Sequence, residues 1–264
     1  MVFKDHVPVV AFILDATVGV AIYSIGETFT SIIGTLNSGI SSLLIPKANK
    51  MVFSNASNEE LTDTAIQMGR IQSLIISLFI FGFISFGRPF IYFYLGEEYT
   101  QAYWVAVVCM VPTFIPLVQS FCLNILIARN KNKFRALLYL FLAIINVIGS
   151  WFLLQDFGII GAALMSGLAS LIGNGFIMNR FYRKHMGIDI VRFWRSIGSV
   201  LIIPIVICFS TLFFYKIVDF YNMSILVIGI LVFTILYITI NWSFVMNMYE
   251  KNIVRNIFNR IKFR

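Results

Sequence analysis

Charged side chains are scarce in this 264-residue sequence. Asp, Glu, Lys and Arg make up 12% of it, against about 25% in a soluble globular domain. So few charges cannot cover a water-facing surface, and they exclude an ordinary cytosolic enzyme. They equally exclude a disordered chain, which needs high charge and low hydrophobicity. The three cysteines, Cys109, Cys122 and Cys208, each lie in an apolar stretch without CxxC spacing. That argues against a disulfide frame or a zinc site and leaves them as small apolar packers. Only two histidines occur, His6 and His185, with no HExxH and no GxxxxGK[ST]. Metal hydrolysis and direct ATP use have no local support. No catalytic residue, metal ligand set or cofactor is expected.

What fills the sequence is hydrocarbon: 59% hydrophobic and 16% aromatic residues. A spanning helix needs about 20 mostly apolar residues. Seven runs between charges meet that need: Thr28–Pro46 with Val20–Gly26 extending it, Ile71–Gly87, Tyr99–Ala128, Ala136–Gln155, Phe157–Asn179, Ser196–Tyr215 and Phe220–Tyr249. The expected fold class is all-α, a polytopic transmembrane helix bundle. An eighth apolar piece, Val7–Leu14, sits in a 14-residue N-terminal stretch that reaches about 21 Å as helix, short of the roughly 30 Å core. It has no small-residue cleavage site and reads as the last turns of a helix rather than a signal peptide.

The basic residues choose sides. Arg129, Lys131, Lys133 and Arg135 form one cluster; Arg180, Arg183, Lys184, Arg192 and Arg195 a second; Lys251, Arg255, Arg260, Lys262 and Arg264 a third. When the spans are counted through, every Lys and Arg except Arg88 and Lys216 falls on one side. The positive-inside rule makes that side cytoplasmic, the C-terminus included. The formal net charge of +8 therefore belongs to topology and anionic lipid, not to nucleic acid. The opposite loops, around Asp156, Gly96–Gln101 and Val218–Asn222, are too short to hold a folded domain.

Polar residues inside the spans are the candidates for function. Ser24, Glu27, Ser31, Thr35, Ser38 and Ser42 recur at three- and four-residue steps, which places them on one helical face. Ile25, Phe29, Ile32, Leu36, Ile40 and Leu43 take the opposite face. The stripe either packs closely against another helix or lines a wet cavity. Glu27 favours the cavity, because a carboxylate in lipid must be wet, paired or protonated. Arg70 and Arg88 bracket the next span; each either snorkels to head groups or meets an anionic substrate. Asn37, Gln119, Asn124 and Asn146 are expected to hydrogen-bond between helices. Ala162, Ser166 and Ser170, four apart, read as a packing face rather than chemistry. Pro112 and Pro116 predict a kink.

Several blocks together resemble a known family. Residues 18–24, VGVAIYS, look like the GxYS junction of bacterial polysaccharide flippases. Pro46 stands where a proline ends the next helix in that family. Residues 87–103, GRPFIYFYLGEEYTQAY, resemble its aromatic stretch followed by G-x-x-Y and Ala. Residues 124–139, NILIARNKNKFRALLY, are similar to its A-x-N-K-x-K-F-R-x-x-x-Y block. Asn146, GIIGAA at 158–163 and MNRFYRKHMGIDIVRFW at 178–194 follow in order. The chain thus resembles the C-terminal half of a Wzx-type oligosaccharide flippase of the multidrug/oligosaccharidyl-lipid/polysaccharide exporter superfamily.

The resemblance implies the second lobe of a two-lobed fold plus two extra helices. Residues 1–180 would be a partial lobe, a truncated first helix and five spans. Residues 181–195 would be a cytoplasmic basic loop, 196–249 two additional spans, and 250–264 a basic tail. It further implies translocation of undecaprenyl-pyrophosphate-linked repeat units across the bacterial inner membrane during O-antigen or capsule synthesis. Arg70, Arg88, Ser31, Thr35 and Ser38 would contact substrate, and Glu27 would couple an ion. The implied partners are lipid-linked oligosaccharide, phospholipid, an N-terminal lobe from a second chain and polysaccharide polymerase machinery. The alternatives are a non-functional remnant, a drug or cation exporter of the same superfamily, and a membrane polysaccharide polymerase, which the short outer loops disfavour.

Overall fold

A computed structural model describes residues 17–215 and 217–262. The expected N-terminal helix remnant at Val7–Leu14 lies outside the described residues. Every regular element among those described is helical. In order they are α1 (Thr17–Phe53), α2 (Asn58–Leu95), a short turn of 3-10 helix at Glu97–Tyr99, α3 (Ala102–Val118), α4 (Ser120–Ala128) and α5 (Asn132–Ser170). A π-helical stretch (Leu171–Met178) continues α5 into α6 (Asn179–Met186). Then come α7 (Ile190–Phe214), α8 (Met223–Ile240) with a π-turn at Asn241–Val245, and α9 (Met248–Lys262).

Six of these helices are long and apolar enough to cross a membrane. One of the six, Asn132–Met186, has 55 residues and as a straight rod would span more than twice the hydrocarbon core. It does not run straight. Gly158 has φ 60° and ψ −152°, a conformation open to glycine and costly for other residues. Tyr139 meets Asn174, Asn146 meets Ser166, and Gly149 lies against Met165. All these pairs are symmetric about residues 156–158, as an antiparallel hairpin requires. The two spans expected at Ala136–Gln155 and Phe157–Asn179 are its two arms, so among the described residues the six candidate helices fold into seven segments of spanning length.

Other boundaries differ from expectation. Pro46 does not end its helix; α1 runs on to Phe53. A proline removes one ladder bond, and here the affected turn is exposed, where water can take its place. The apolar run Tyr99–Ala128 is broken at Gln119 (φ −94°, ψ 12°), three residues after Pro116. Asn37 Nδ2 donates to the Leu117 carbonyl at the break, 3.3 Å away. The basic segment 181–195 is nearly all helix: it turns at Gly187, in the left-handed region at φ 69°, and α7 begins at Ile190. Asp189 caps α7 by accepting from Val191 N and Arg192 N. Ser57 and Glu60 form a capping box at the start of α2.

The basic loops gather at one end of the bundle. Arg129 donates to the Met186 carbonyl and Lys131 to the His185 carbonyl. Arg192 pairs with Asp63 at 2.9 Å, and the Asp189 amide donates to Thr62. Helix α2 is the spine. One side of it packs against α1, α3 and α4, and the other takes α7 and α8. Phe86, Phe220, Phe233 and Tyr237 form the cluster that seats α8. The Tyr237 hydroxyl donates to the Leu74 carbonyl and lies 2.8 Å from Ser77 Oγ.

Candidate functional site

Helix α1 carries three faces, not two. Successive residues advance by about 100°. One face, with Ile22, Tyr23, Thr30, Ile33, Asn37 and Ala48, is buried in the bundle. Gly26 lies on it, where an added Cβ would stand 2.7 Å from Val105, so glycine permits the close crossing of α1 and α3. A second face exposes Ile32, Leu36 and Leu43. The third carries Ser24, Thr28, Ser31, Thr35, Ser38 and Ser42, all exposed. The stripe read from the sequence is therefore real as a face, but it does not pack within this chain. Gly34 and Gly39 beside it have nothing within 4 Å of an added Cβ.

The hydroxyls of this face donate to their own helix. Thr28 donates to the Ser24 carbonyl at 2.8 Å, Thr35 to Ser31 at 3.0 Å, Ser38 to Thr35 at 2.7 Å and Ser42 to Gly39 at 2.8 Å. Ser31 does the same toward Thr28. With its proton spent on the backbone, each oxygen keeps lone pairs pointing outward. The face is a row of acceptors, suited to water or to the hydroxyl groups of a ligand.

Half-buried Glu27 edges this face and enters a cavity of about 150 Å³. α3 supplies Cys109, Thr113 and Pro116; the hairpin supplies Arg135, Tyr139, Ser166, Gly167, Ser170 and Asn174. The space is polar enough, and large enough, for several waters. Arg135 lies over the Tyr139 ring, 4.6 Å from its centroid. The Tyr139 hydroxyl donates to Asn174 Oδ1 at 2.6 Å. Ser166 Oγ accepts from Asn146 Nδ2 at 3.3 Å. Pro112 explains part of the shape: it has no N–H for the Val108 carbonyl, and that carbonyl sits 2.9 Å from where Gly167 would carry a Cβ.

Ser166 and Ser170 were expected to be packing residues only; they line this cavity as well. Arg135, Tyr139 and Asn174 were not singled out as site residues. A signal existed: Arg135 and Tyr139 are four apart, and Asn174 interrupts an apolar run. Ser31, Thr35, Ser38, Arg70 and Arg88 are not among the lining residues described.

Arg70 is buried elsewhere. Its Nε donates to Glu250 Oε1 at 2.5 Å and one Nη to Glu250 Oε2 at 3.2 Å. The remaining donors go to the carbonyls of Ser196 and Val245 and to Ser199 Oγ. Arginine has five N–H groups, and five acceptors meet them. None remains for an anionic ligand, so the expected contact of Arg70 with substrate gives way to a structural clamp. Glu250 Oε2 also accepts from Asn247 N, while Asn247 Oδ1 accepts from Glu250 N, which caps α9. Arg88 is exposed on α2, in the electrostatic range of Tyr103 and Tyr215.

The four lone amides do bond between helices. Gln72 Nε2 donates to Asn37 Oδ1 and Ser120 Oγ. Gln119 donates to Asn179, and Asn124 to the Ser41 carbonyl. All three cysteines are buried, and none is in a disulfide. No family model, no curated protein and no solved structure matches the chain.

Proposed function

We propose that this chain is one lobe of a lipid-linked oligosaccharide flippase and performs no covalent chemistry. The observation that carries the reading is the exposed acceptor face of α1, edged by Glu27 and its cavity, in a helical bundle whose other exposed faces are mostly apolar. A membrane helix gains nothing by turning six hydroxyls to lipid. Such a face fits a groove that shields sugar hydroxyls while the lipid tail stays in the bilayer. The blocks that resemble the flippase family point to undecaprenyl-pyrophosphate-linked repeat units as cargo, for O-antigen or capsule. The groove's other wall would come from a second lobe on another chain. Positive-inside topology puts the basic end in the bacterial cytoplasm. Of the two arginines that bracket α2, Arg88 is the exposed one and the candidate cation for a pyrophosphate.

In this reading Glu27 exchanges a proton or cation through its cavity. Replacing Glu27 with Gln in liposomes that hold the assembled transporter should cut flipping of lipid-linked oligosaccharide at least about tenfold. It should also flatten the pH dependence. Unchanged flipping across the pH range would remove the coupling role.

The wet face has its own test. Single cysteines at Ser31, Thr35 or Ser38, in a background where Cys109, Cys122 and Cys208 are alanine, should react with a membrane-impermeant thiol reagent. Cysteines at Ile32 and Leu36 should not. Equal inertness of both sets would mean the stripe faces lipid or packed protein.

A further inference from the structure

The corner between α8 and α9 holds a second unassigned feature. A groove of about 500 Å³ lies there, lined by Ile238, Trp242, Val254, Arg255 and Asn259. Two cations meet over one ring: Lys251 Nζ and Arg255 Cζ each lie 5.9 Å from the Trp242 centroid. They are four residues apart on α9, a spacing at which like charges repel. Among the described residues no carboxylate pairs with either. The one acid of this helix, Glu250, is buried on Arg70 and 1% exposed. The clamp therefore removes the negative charge and leaves the outer side of α9 purely basic. Beside the cations, Ile238 and Val254 form an apolar wall. Phe244 and Met248 at the same corner are 84% and 70% exposed.

We propose that this groove is a binding site for an anionic phospholipid, with its phosphate on Lys251 and Arg255 and an acyl chain along Ile238 and Val254. An apolar wall excludes free phosphate as the preferred occupant, and two uncompensated cations select against a zwitterionic head group. Trp242 sits where indole rings favour the membrane interface. The Asn247 cap and the Arg70 clamp anchor the first turn of α9 to α2, next to the groove. The site needs a membrane but not a transport cycle, so it stands or falls separately from the flippase reading.

The test reads Trp242 alone, in the full chain with Trp104, Trp151 and Trp194 changed to Phe, in nanodiscs. Brominated phosphatidylglycerol should quench Trp242 much more than brominated phosphatidylcholine at the same mole fraction, equivalent to a local enrichment of about tenfold. Lys251→Gln with Arg255→Gln should reduce phosphatidylglycerol quenching to the phosphatidylcholine level, leaving the latter unchanged; Arg255→Lys should keep the preference. Equal quenching by the two lipids in the parent would overturn the site. So would a preference that survives in the double variant, loss of quenching by both lipids in that variant, or abolition of the preference by inorganic phosphate.

Discussion

Arg70→Met should destabilise the folded chain by about 3–5 kcal/mol, the range for breaking a buried ion pair by removing one partner. The reason is what stays behind. Glu250 is 1% exposed and would lose the two guanidinium bonds it now accepts, with no water to replace them. The Val245 and Ser196 carbonyls would lose donors too. Glu250→Gln should cost less, since an amide oxygen can still accept one of those bonds. Changing both residues to methionine should recover most of the loss, because neither charge then needs a partner. Unfolding midpoints in a mild detergent measure all three. Protease cleavage near Met246–Asn247 should rise in the first variant, as α9 comes free. A cost for Arg70→Met below about 1 kcal/mol, the level of an exposed pair, would show that the clamp holds nothing.

The second large effect belongs to the hairpin. An added Cβ on Gly161 would stand 2.2 Å from the Leu153 carbonyl oxygen. That contact is with backbone, so no rotamer change relieves it, and the two arms must separate. Gly161→Leu should cost about 3 kcal/mol or more, the upper range for overpacking, and should loosen the Asn146–Ser166 contact below it. Gly34→Ala and Gly39→Ala are the internal controls. Both glycines face open space, so alanine there should be neutral or stabilise by up to about 1 kcal/mol through helix propensity. Equal thermal shifts at Gly161 and Gly34 would contradict the close crossing.

The contrast between Gly161 and Gly34 shows how much was readable in advance. Both are glycines in apolar helices, and nothing local separates them. Their difference is the distance to another segment. The same holds for the serines. Ser38 and Ser166 both recur at helical spacing with small or hydroxyl neighbours. One lies on an exposed face, and the other is buried at the edge of a cavity, bonded to Asn146.

What the amino-acid order alone determined is the helical class and a set of runs long and apolar enough to cross a membrane. Long uncharged runs must be helices in oil, because only a helix satisfies its backbone within one segment. The uneven basic residues then choose one end, and the loops carrying them do meet there. Tertiary structure alone decided the roles of individual polar groups. Arg70 looked like a ligand-binding cation until Glu250, 180 residues later, was found to occupy it. Helix α1 looked two-sided until its neighbours covered a third face. Hydrophobic burial in a membrane is local and additive along the chain, so it is legible; hydrogen bonding and ion pairing depend on where distant residues meet, and that only the packed bundle settles.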